Sequence, residues 1–247
     1  MDLGGKDSLD AHLAAALDWW REAGVDSDWQ DAPKSWLGLP EENPAAPPPP
    51  RPEASAPLPI AKAQPFEIPS DLALFRDWWL TEPRLDNGRV ANRVPPRGSA
   101  GAEIMFVVAE PEREDTETLL SGPQGRLLLA MLEAMGISSE QAYFASVLPR
   151  HTPHADWKVA AHAGMGEVLA RHIALATPKR LIIFGGTILP LLGHDPAQSP
   201  AVSLEFNREG AEMPMLATRD LAALLERPRW KAGFWRAWLD WTMQSTS

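Results

Sequence analysis

From residue 104 onward, apolar positions alternate between two spacings, one typical of buried strands and one typical of helices. Continuous β-rich runs occupy residues 104–109, 142–148, 180–184 and 213–218. Between these runs, apolar side chains recur every three or four residues and predict helices over 126–135 and 156–176. The same spacing predicts a C-terminal helix through Trp230, Phe234, Trp238 and Trp241. This alternation predicts an α/β fold, a three-layer α/β/α sandwich around a short, mostly parallel sheet.

A separate helical pattern lies near the N-terminus. Leu9, Leu13, Leu17 and Trp20 recur every three or four residues, which places them on one face of a helix over 8–23. Residues 1–37 are therefore predicted to form an amphipathic helical segment. We favour the interpretation that this segment folds back on the main domain. The alternative is that it docks into a groove of a partner protein.

A proline-rich stretch follows this helical segment. Eleven of the 25 prolines lie between residues 38 and 69, and each of them removes a backbone hydrogen-bond donor. Such a sequence cannot build a core, which predicts a semi-extended linker over 38–72 and a folded domain over 73–247. A plain spacer is the favoured interpretation, and docking of SH3-type or WW-type modules is the alternative. Residues 1–69 are thus the predicted contact region for a protein partner.

Charge is distributed unevenly along the chain. The net charge of −10 argues at first against a nucleic-acid-binding protein. Residues 1–72 carry 13 acidic and five basic side chains, so they hold −8 of that charge and leave only −2 on residues 73–247. DNA therefore stays a candidate partner.

The domain also has two basic stretches, which either follow a phosphate backbone or pair with surface carboxylates. They are Arg84, Arg89, Arg93 and Arg97, and then Arg219, Arg227, Arg229, Lys231 and Arg236.

The chain contains no cysteine, which rules out disulfides, thiolate-bound metals, iron–sulfur clusters and a cysteine nucleophile. The N-terminal sequence MDLGGKDSLD lacks the basic and apolar regions of a secretory signal. No run of about 18 apolar residues predicts a membrane span. These features predict a cytoplasmic protein with no membrane partner.

The loops that follow the predicted strands carry motifs of a known family. FVVAEPEREDTETLLSGPQGRLLLAMLEAMGI is similar in order and spacing to a strand followed by G-E-A-P-G, an acidic stretch and P-F-V-G-R-A-G. YFASVLPRHTP looks like Y-I-T-N-V-V-K-C-R-P-P, and VLARHIALATPKRLIIFGG looks like L-x-x-Q-I-x-L-x-x-P-K-x-I-x-x-x-G. ATRDLAALLERPRWKAGFWRAW takes the place of T-Y-H-P-S-Y-L-L-R-N-P and a basic helix. Over residues 93–241 the chain thus resembles the uracil-DNA glycosylase superfamily, closest to its thermostable iron–sulfur group, family 4.

This resemblance implies an enzyme that flips uracil out of DNA and breaks its N-glycosidic bond. Pro111 matches the proline of the first motif, and Gly122 and Gly125 match its G-x-x-G. The functional positions mostly hold other residues: Ala109 for the water-activating carboxylate, Leu120 for the stacking phenylalanine, Ser146 for the base-reading asparagine and Asp220 for the anion-stabilising histidine. These departures predict uracil excision that is very weak or absent.

The resemblance also bears on the cofactor. Arg150 and Met165 stand where the family has two of its cluster cysteines, and the other pair would fall within 84–94, which has none. No iron–sulfur cluster and no other cofactor is therefore expected.

A shift of one residue would return part of the site, with Glu110 as the carboxylate and Arg219 as the donor to the departing base. The predicted catalytic candidates are Glu110 and, at the position of the motif histidine, Asp220. The residues predicted to bind the base or the DNA are Pro111, Leu120, Ser146, Arg150, His151 and Arg219.

Two other polar clusters are interpreted without a catalytic or metal-binding role. His151, His154 and Asp156 superficially suggest a metal site, but no two histidines are fixed four residues apart on a helix face, so no metal is predicted. The acidic run is interpreted as a solvated loop that would repel phosphates if it borders the pocket. It comprises Glu110, Glu112, Glu114, Asp115 and Glu117.

Three functions stay open. The favoured one is a divergent uracil-DNA glycosylase-like protein of the base-excision-repair type, associated with DNA and weak or inactive on uracil. The second is a protein-interaction module that uses the N-terminal helix and the proline-rich arm. The third is an active glycosylase with altered base specificity, working through Glu110, Ser146 and Arg219.

Overall fold

The computed structural model describes residues 6–24, 66–195 and 201–244. The chain divides into two compact units, Met1–Leu58 and Pro59–Ser247. In the first unit, helix α1 (Lys6–Glu22) forms where the apolar spacing predicts it. Most of the predicted linker lies outside the described residues, and the domain boundaries at 37 and 72 stay predictions.

The second unit alternates strands and helices. Its helices are α2 (Leu72–Thr81), α3 (Pro123–Ala134), α4 (Trp157–His162), α5 (Met165–Ala176), α6 (Leu221–Glu226) and α7 (Pro228–Gln244). Its strands are β1 (Ile104–Val108), β2 (Ala142–Ser146), β3 (Leu181–Phe184), β4 (Ala201–Arg208) and β5 (Ala211–Thr218). Short 3₁₀ helices lie at Pro83–Asp86, Ser139–Gln141 and Gly186–Leu192. Across the described residues, no helix has both the length and the apolar character needed to cross a membrane.

The strands form one mixed sheet in the order β2-β1-β3-β5-β4. β2, β1, β3 and β5 run parallel, and β4 pairs antiparallel with β5 at the edge. The register aligns Val108 with Ser146 and Phe184, and it aligns Phe184 with Thr218. The carboxyl ends of the four parallel strands therefore lie side by side along one edge of the sheet.

Two cores cover the two faces of this sheet. Phe106, Phe144 and Phe184 point to one face, where their rings stack with centroid distances of 5.8 and 6.0 Å and meet residues of α3, α6 and α7. Val107 and Ile183, the sequence neighbours of Phe106 and Phe184, point to the other face, where they meet α5 and the 3₁₀ helix Gly186–Leu192. This period-2 division of side chains confirms the predicted three-layer α/β/α sandwich.

A third cluster joins α2 to α4 and α5. Asp71 caps α2 by accepting hydrogen bonds from the first backbone N–H groups, and Phe75 and Trp79 on that helix are buried. Phe66 and Ile68 pack against this cluster, so ordered contacts with the domain begin several residues before the helix itself.

Two elements differ from the sequence expectation. β4 is an additional strand in which Phe206 is the buried residue, so its pattern lacks the apolar run that marks the other strands. The predicted helix over 156–176 is interrupted, because Gly164 adopts φ of +88° between α4 and α5. A side chain there would be strained in the left-handed region, and its Cβ would come within 3.2 Å of the Phe66 ring.

Candidate active-site cleft

A cleft of about 920 Å³ opens at the carboxyl edge of the parallel strands. Its walls are the segments that follow β1, β2, β3 and β5, namely 109–114, 151–157, 185–187 and 220–226. The chain leaves β1 toward β2 on one side and returns to β3 on the other, so the cleft lies at the topological switch point of the sheet. This is where open α/β sheets bind their ligands, and the volume falls in the usual range of about 300–1,000 Å³ for ligand sites.

Buried carboxylates organise the loop after β1. Glu112 is 4 % exposed and accepts hydrogen bonds from the backbone N–H groups of Gly122, Gln124 and Gly125 at 2.8–3.1 Å. Its charge therefore lies at the N-terminus of α3, where the helix dipole favours an anion. Asp115 is also buried and accepts hydrogen bonds from the backbone of Glu112 and of two further loop residues at 2.7–2.8 Å. The interpretation of this run as a solvated loop is wrong for Glu112 and Asp115.

The second glycine of the G-x-x-G, Gly125, is required by a close backbone contact. A Cβ on Gly125 would lie 1.8 Å from the carbonyl oxygen of Leu120, so only glycine admits that close approach. Leu120 itself adopts φ of +58° and is 3 % exposed, with its side chain in the core under α3 and α6. The side chain predicted to contact the base is therefore turned into the protein interior.

One wall of the cleft brings a carboxylate and an imidazole together. Glu110 Oε2 accepts a hydrogen bond from the backbone N–H of Thr152 and lies 3.6 Å from His151 Nδ1. His151 Nδ1 is 3.0 Å from the carbonyl oxygen of Pro111. Because a carbonyl only accepts, Nδ1 carries the proton, and in the neutral ring Nε2 is the acceptor. Glu110, Pro111 and His151, all predicted from the sequence, line the cleft together.

Ser146 and Arg150, both predicted to bind the base or the DNA, are not among the residues that line the cleft. The Ser146 hydroxyl is buried and donates to the carbonyl of Leu148 at 2.8 Å. Arg150 pairs with Asp86 through its Nε and Nη2, and the hydrogen bond to that carboxylate raises the pKa of Arg150. This ion pair joins the loop after β2 to the 3₁₀ helix that follows α2.

The opposite wall contains Asp220. Asp220 is exposed, lines the cleft and caps α6 by accepting a hydrogen bond from the backbone N–H of Ala223 at 2.7 Å. The neighbouring Arg219 turns away from the cleft lining, and its guanidinium carbon lies 4.3 Å from the centroid of the Trp230 ring. The structure thus brings Asp220, but not Arg219, into the cleft with Glu110.

Negative charge dominates the cleft. Its carboxylates are Glu110, Glu112, Glu114, Asp220 and Glu226. Among the described lining residues, Arg113 is the only arginine or lysine that opposes them, alongside His151 and His154. Trp157, which is half-buried, and the buried Phe184 supply aromatic surface. Phosphate groups would be repelled from this interior.

The two basic stretches differ in exposure. Arg93 is buried and donates to the carbonyl oxygens of Trp79 and Arg89 at 2.8–3.1 Å, and Arg97 donates to Leu119 while its guanidinium lies 4.0 Å from the Phe144 ring centroid. Arg93 is therefore an interior arginine and Arg97 a half-buried one, and within the described residues neither pairs with a carboxylate oxygen within 4 Å.

The second stretch forms a cluster around one indole. The guanidinium carbons of Arg219, Arg227 and Arg229 lie 4.3, 4.5 and 6.0 Å from the Trp230 ring centroid. Arg227 and Arg229 are exposed. We call these four residues the Arg–Trp cluster. Over 66–195 and 201–244, none of its arginines lies within 4 Å of a carboxylate oxygen.

Sequence reasoning missed two contributors to the cleft. Trp157 lies within the helix predicted over 156–176, and it is the first residue of α4, directly after the N-cap Asp156, in the connection that follows β2 and lines the cleft. Glu226 ends α6 and had no motif to mark it. In the part of the chain that the structure describes, no three His, Asp or Glu side chains are placed to hold a metal ion.

Comparison with known proteins gives a family. The family model of the uracil DNA glycosylase superfamily matches residues 95–241, and no curated protein matches the chain. The matched region begins before β1, ends in α7 and includes every wall of the cleft. More than half of the chain is covered, so the protein belongs to the uracil-DNA glycosylase superfamily.

Proposed function

We propose that this protein is a divergent uracil-DNA glycosylase-like protein, nearest to family 4, that associates with DNA and has very weak or no activity on uracil. It retains the scaffold and a cleft of about 920 Å³ at the carboxyl edge of the sheet, which is large enough to take a flipped base. Its cleft chemistry is unsuited to uracil, because the departing pyrimidine is an anion and the lining is acidic. A cytoplasmic location is part of the same proposal.

The observation that carries this proposal is Asp220 at the cleft wall. The resemblance places there the histidine that would stabilise the departing anion. A carboxylate about 4 Å from that anion repels it by roughly 4 kcal/mol at an effective dielectric constant of 20. The lost donor costs a further factor of about 10²–10³ in rate. Together these effects lower the rate of uracil release by about 10⁵-fold or more.

The other family positions support the same conclusion. Ala109 lines the cleft with a methyl group, the Leu120 side chain is buried, and the Ser146 hydroxyl donates to a backbone carbonyl. The stacking and base-reading contacts of the family therefore have no counterpart at these positions. Glu110 is the carboxylate nearest in sequence to Ala109 that can hold water in the cleft.

The Arg–Trp cluster supports association with DNA. Three positive charges that share one indole repel each other, and an anion bridging them would relieve that repulsion. The cluster flanks α6, with Arg219 before that helix and the other three residues after it, and residues of α6 line the cleft, so phosphates on the cluster would run beside the cleft mouth. Phosphate contacts of this kind make binding fall steeply with salt.

Excision assays on single-stranded and double-stranded uracil oligonucleotides test the proposal. We expect no release of uracil above about 10⁻⁵ of the rate of an active superfamily enzyme. Asp220→Asn retains a capping side chain and removes the charge, so it should raise uracil release, and Asp220→His should raise it further. Glu140→Gln removes a carboxylate at the amino edge of the sheet and should change nothing. Rapid turnover by the natural protein would refute the proposal.

Binding of labelled DNA, followed by fluorescence anisotropy over a salt series, tests the second half. Arg227→Gln and Arg229→Gln should each weaken binding and reduce the slope of log K against log salt by about one. Lys179→Gln is the matched control, because it removes one positive charge beside Glu103 at the amino end of β3. Equal slopes for all variants would contradict a DNA-contact role for the Arg–Trp cluster.

Helix α1 favours a second candidate function, a protein-interaction module that uses this helix and the proline-rich arm within residues 1–69. On α1, Leu13, Leu17 and Trp20 are more than half exposed, which is unusual for one apolar face. Leu13→Asp with Leu17→Asp should abolish capture of a partner by the full-length chain, and Ala11→Glu on the opposite face should not. A partner retained by the double variant would remove this helix from consideration.

A further inference from the structure

The acidity that opposes uracil release favours a different leaving group. A base that is cationic while attached to the sugar leaves as a neutral molecule, so it needs no donor for a departing anion. It is also attracted before the reaction by the carboxylates that line the cleft. Such bases arise in DNA when a purine ring nitrogen is alkylated, as in 7-methylguanine and 3-methyladenine.

We infer that the cleft takes a cationic, N-alkylated purine of DNA and breaks its N-glycosidic bond. This inference rests on the proposed function, since it needs the family's flipped base to enter this cleft. It deepens that proposal by naming the substrate class. The cleft volume of about 920 Å³ accommodates a purine as well as a pyrimidine.

An aromatic wall gives the cleft a second contact for a cation. Trp157 is the first residue of α4, directly after the cap formed by Asp156. It lines the cleft, and its half-buried side chain packs against two cores. The indole is therefore held in place by the protein interior. Indole is the best ring for cation–π attraction, and a flat cationic base can lie against it with both charge and area in contact.

Carboxylates on the other walls complete the arrangement. Asp220 is held by its hydrogen bond to Ala223, and Glu110 is held by the backbone N–H of Thr152. Both negative charges are fixed by the backbone before a substrate arrives. They need no reorganisation to meet a cation, which is the condition under which electrostatic stabilisation is most effective.

The reaction balances without any further group. Water attacks C1′ of the deoxyribose, the C1′–N bond breaks, and its electron pair passes to the ring nitrogen, where it cancels the positive charge of the base. The proton of the attacking water passes to Glu110 and then to solvent. Positive charge moves toward the sugar in the transition state, which the same carboxylates stabilise. The products are an abasic site, a neutral alkylated purine and a proton.

Release of methylated purines from full-length protein tests the inference. The substrates are duplex DNA treated with dimethyl sulfate and, in parallel, a uracil oligonucleotide, with released bases separated by chromatography and corrected for spontaneous loss. We expect release of 7-methylguanine or 3-methyladenine at least tenfold above the protein-free rate. Trp157→Leu should lower that release roughly three- to thirtyfold. Glu140→Gln should leave it unchanged.

Asp220→Asn gives the deciding comparison. At DNA concentrations below saturation it should lower release of the methylated purine at least tenfold and raise release of uracil, because the Asp220 charge attracts the cationic base as it enters the cleft and repels the departing uracil anion. Damage to the fold would lower both rates together. A protein that binds DNA but releases no methylated purine above background overturns the inference and leaves the proposed function intact. A protein that excises uracil rapidly overturns the proposed function itself.

Discussion

Buried His172 gives this protein a pH dependence of stability that can be calculated from the structure. His172 lies on α5, is 1 % exposed, and its Nε2 is 2.9 Å from the hydroxyl of Tyr143. The rings of Phe75 and Trp79 lie 4.3 and 6.2 Å from it between centroids. Burial, with a smaller contribution from Arg76, lowers the pKa of His172 to about 3. Burial also raises the pKa of Tyr143 to about 12, so that hydroxyl keeps its proton throughout the range considered.

The direction of this pH dependence follows from the pKa of His172 in the unfolded and in the folded protein. The unfolded chain takes up a proton on this histidine near pH 6.5, whereas the folded protein takes it up only near pH 3. The unfolded state therefore binds more protons below pH 6.5, and stability falls as the pH falls. One proton corresponds to at most about 1.4 kcal/mol per pH unit. Between pH 7.5 and 4.5, His172 alone should lower the free energy of unfolding by between 2 and 3 kcal/mol.

Urea denaturation followed by tryptophan fluorescence at several pH values measures this difference. His172→Leu removes the titrating group, so its stability should fall between 2 and 3 kcal/mol less than that of the natural protein over the same interval. Tyr143→Phe is the matched control, because it removes the hydrogen bond and leaves the buried imidazole. It should lower stability at every pH by about 1 kcal/mol and keep the natural pH dependence. Parallel curves for the natural protein and His172→Leu would refute this reasoning.

Two further predictions concern the frame of the cleft. Gly125→Ala should destabilise the domain by more than about 3 kcal/mol or prevent its folding, because its Cβ would lie 1.8 Å from the Leu120 carbonyl oxygen. Gly233→Ala, in α7, should instead stabilise the domain by about 0.5–1 kcal/mol, because no atom lies within 4 Å of the added Cβ. Thermal unfolding of the two variants checks this contrast. Asp86→Asn should cost roughly 1–2 kcal/mol by breaking the partly buried pair with Arg150. A double-mutant cycle with Arg150→Gln measures the coupling, and a coupling near zero would contradict it.

The strands that could be predicted are those buried on both faces. Every residue of β1, β2 and β3 is buried, which produces the continuous apolar runs that sequence patterns detect. β4 is an edge strand in which Phe206 is the buried side chain, so no such run marks it. The break at Gly164 was not predicted, because the apolar spacing continues through this position. Only the positive backbone φ angle of Gly164 separates α4 from α5.

The cleft could be located from the sequence because the carboxyl ends of parallel strands share one edge. The family resemblance marked Glu110, His151 and Asp220, and this rule brings the loops that carry them together. It does not say which way a side chain turns at the edge. Ser146 and Leu120 turn inward for local reasons, a hydrogen bond to a carbonyl in one case and a left-handed backbone in the other. Interactions of this kind leave no periodic trace in the sequence.

The carboxylates of the cleft also have structural roles, and this bears on how the site diverged. Asp220 caps α6, Glu112 caps α3, and Glu110 accepts a backbone hydrogen bond across the cleft wall. Caps of this kind contribute about 0.5–2 kcal/mol each, so replacing them by apolar residues would lower stability as well as remove charge. The carboxylates of the cleft therefore stabilise the fold in addition to replacing residues of the family motifs. Asparagine at position 220 separates the two roles, because it retains the cap and removes the charge. Any change in base preference caused by that substitution therefore reports the charge alone.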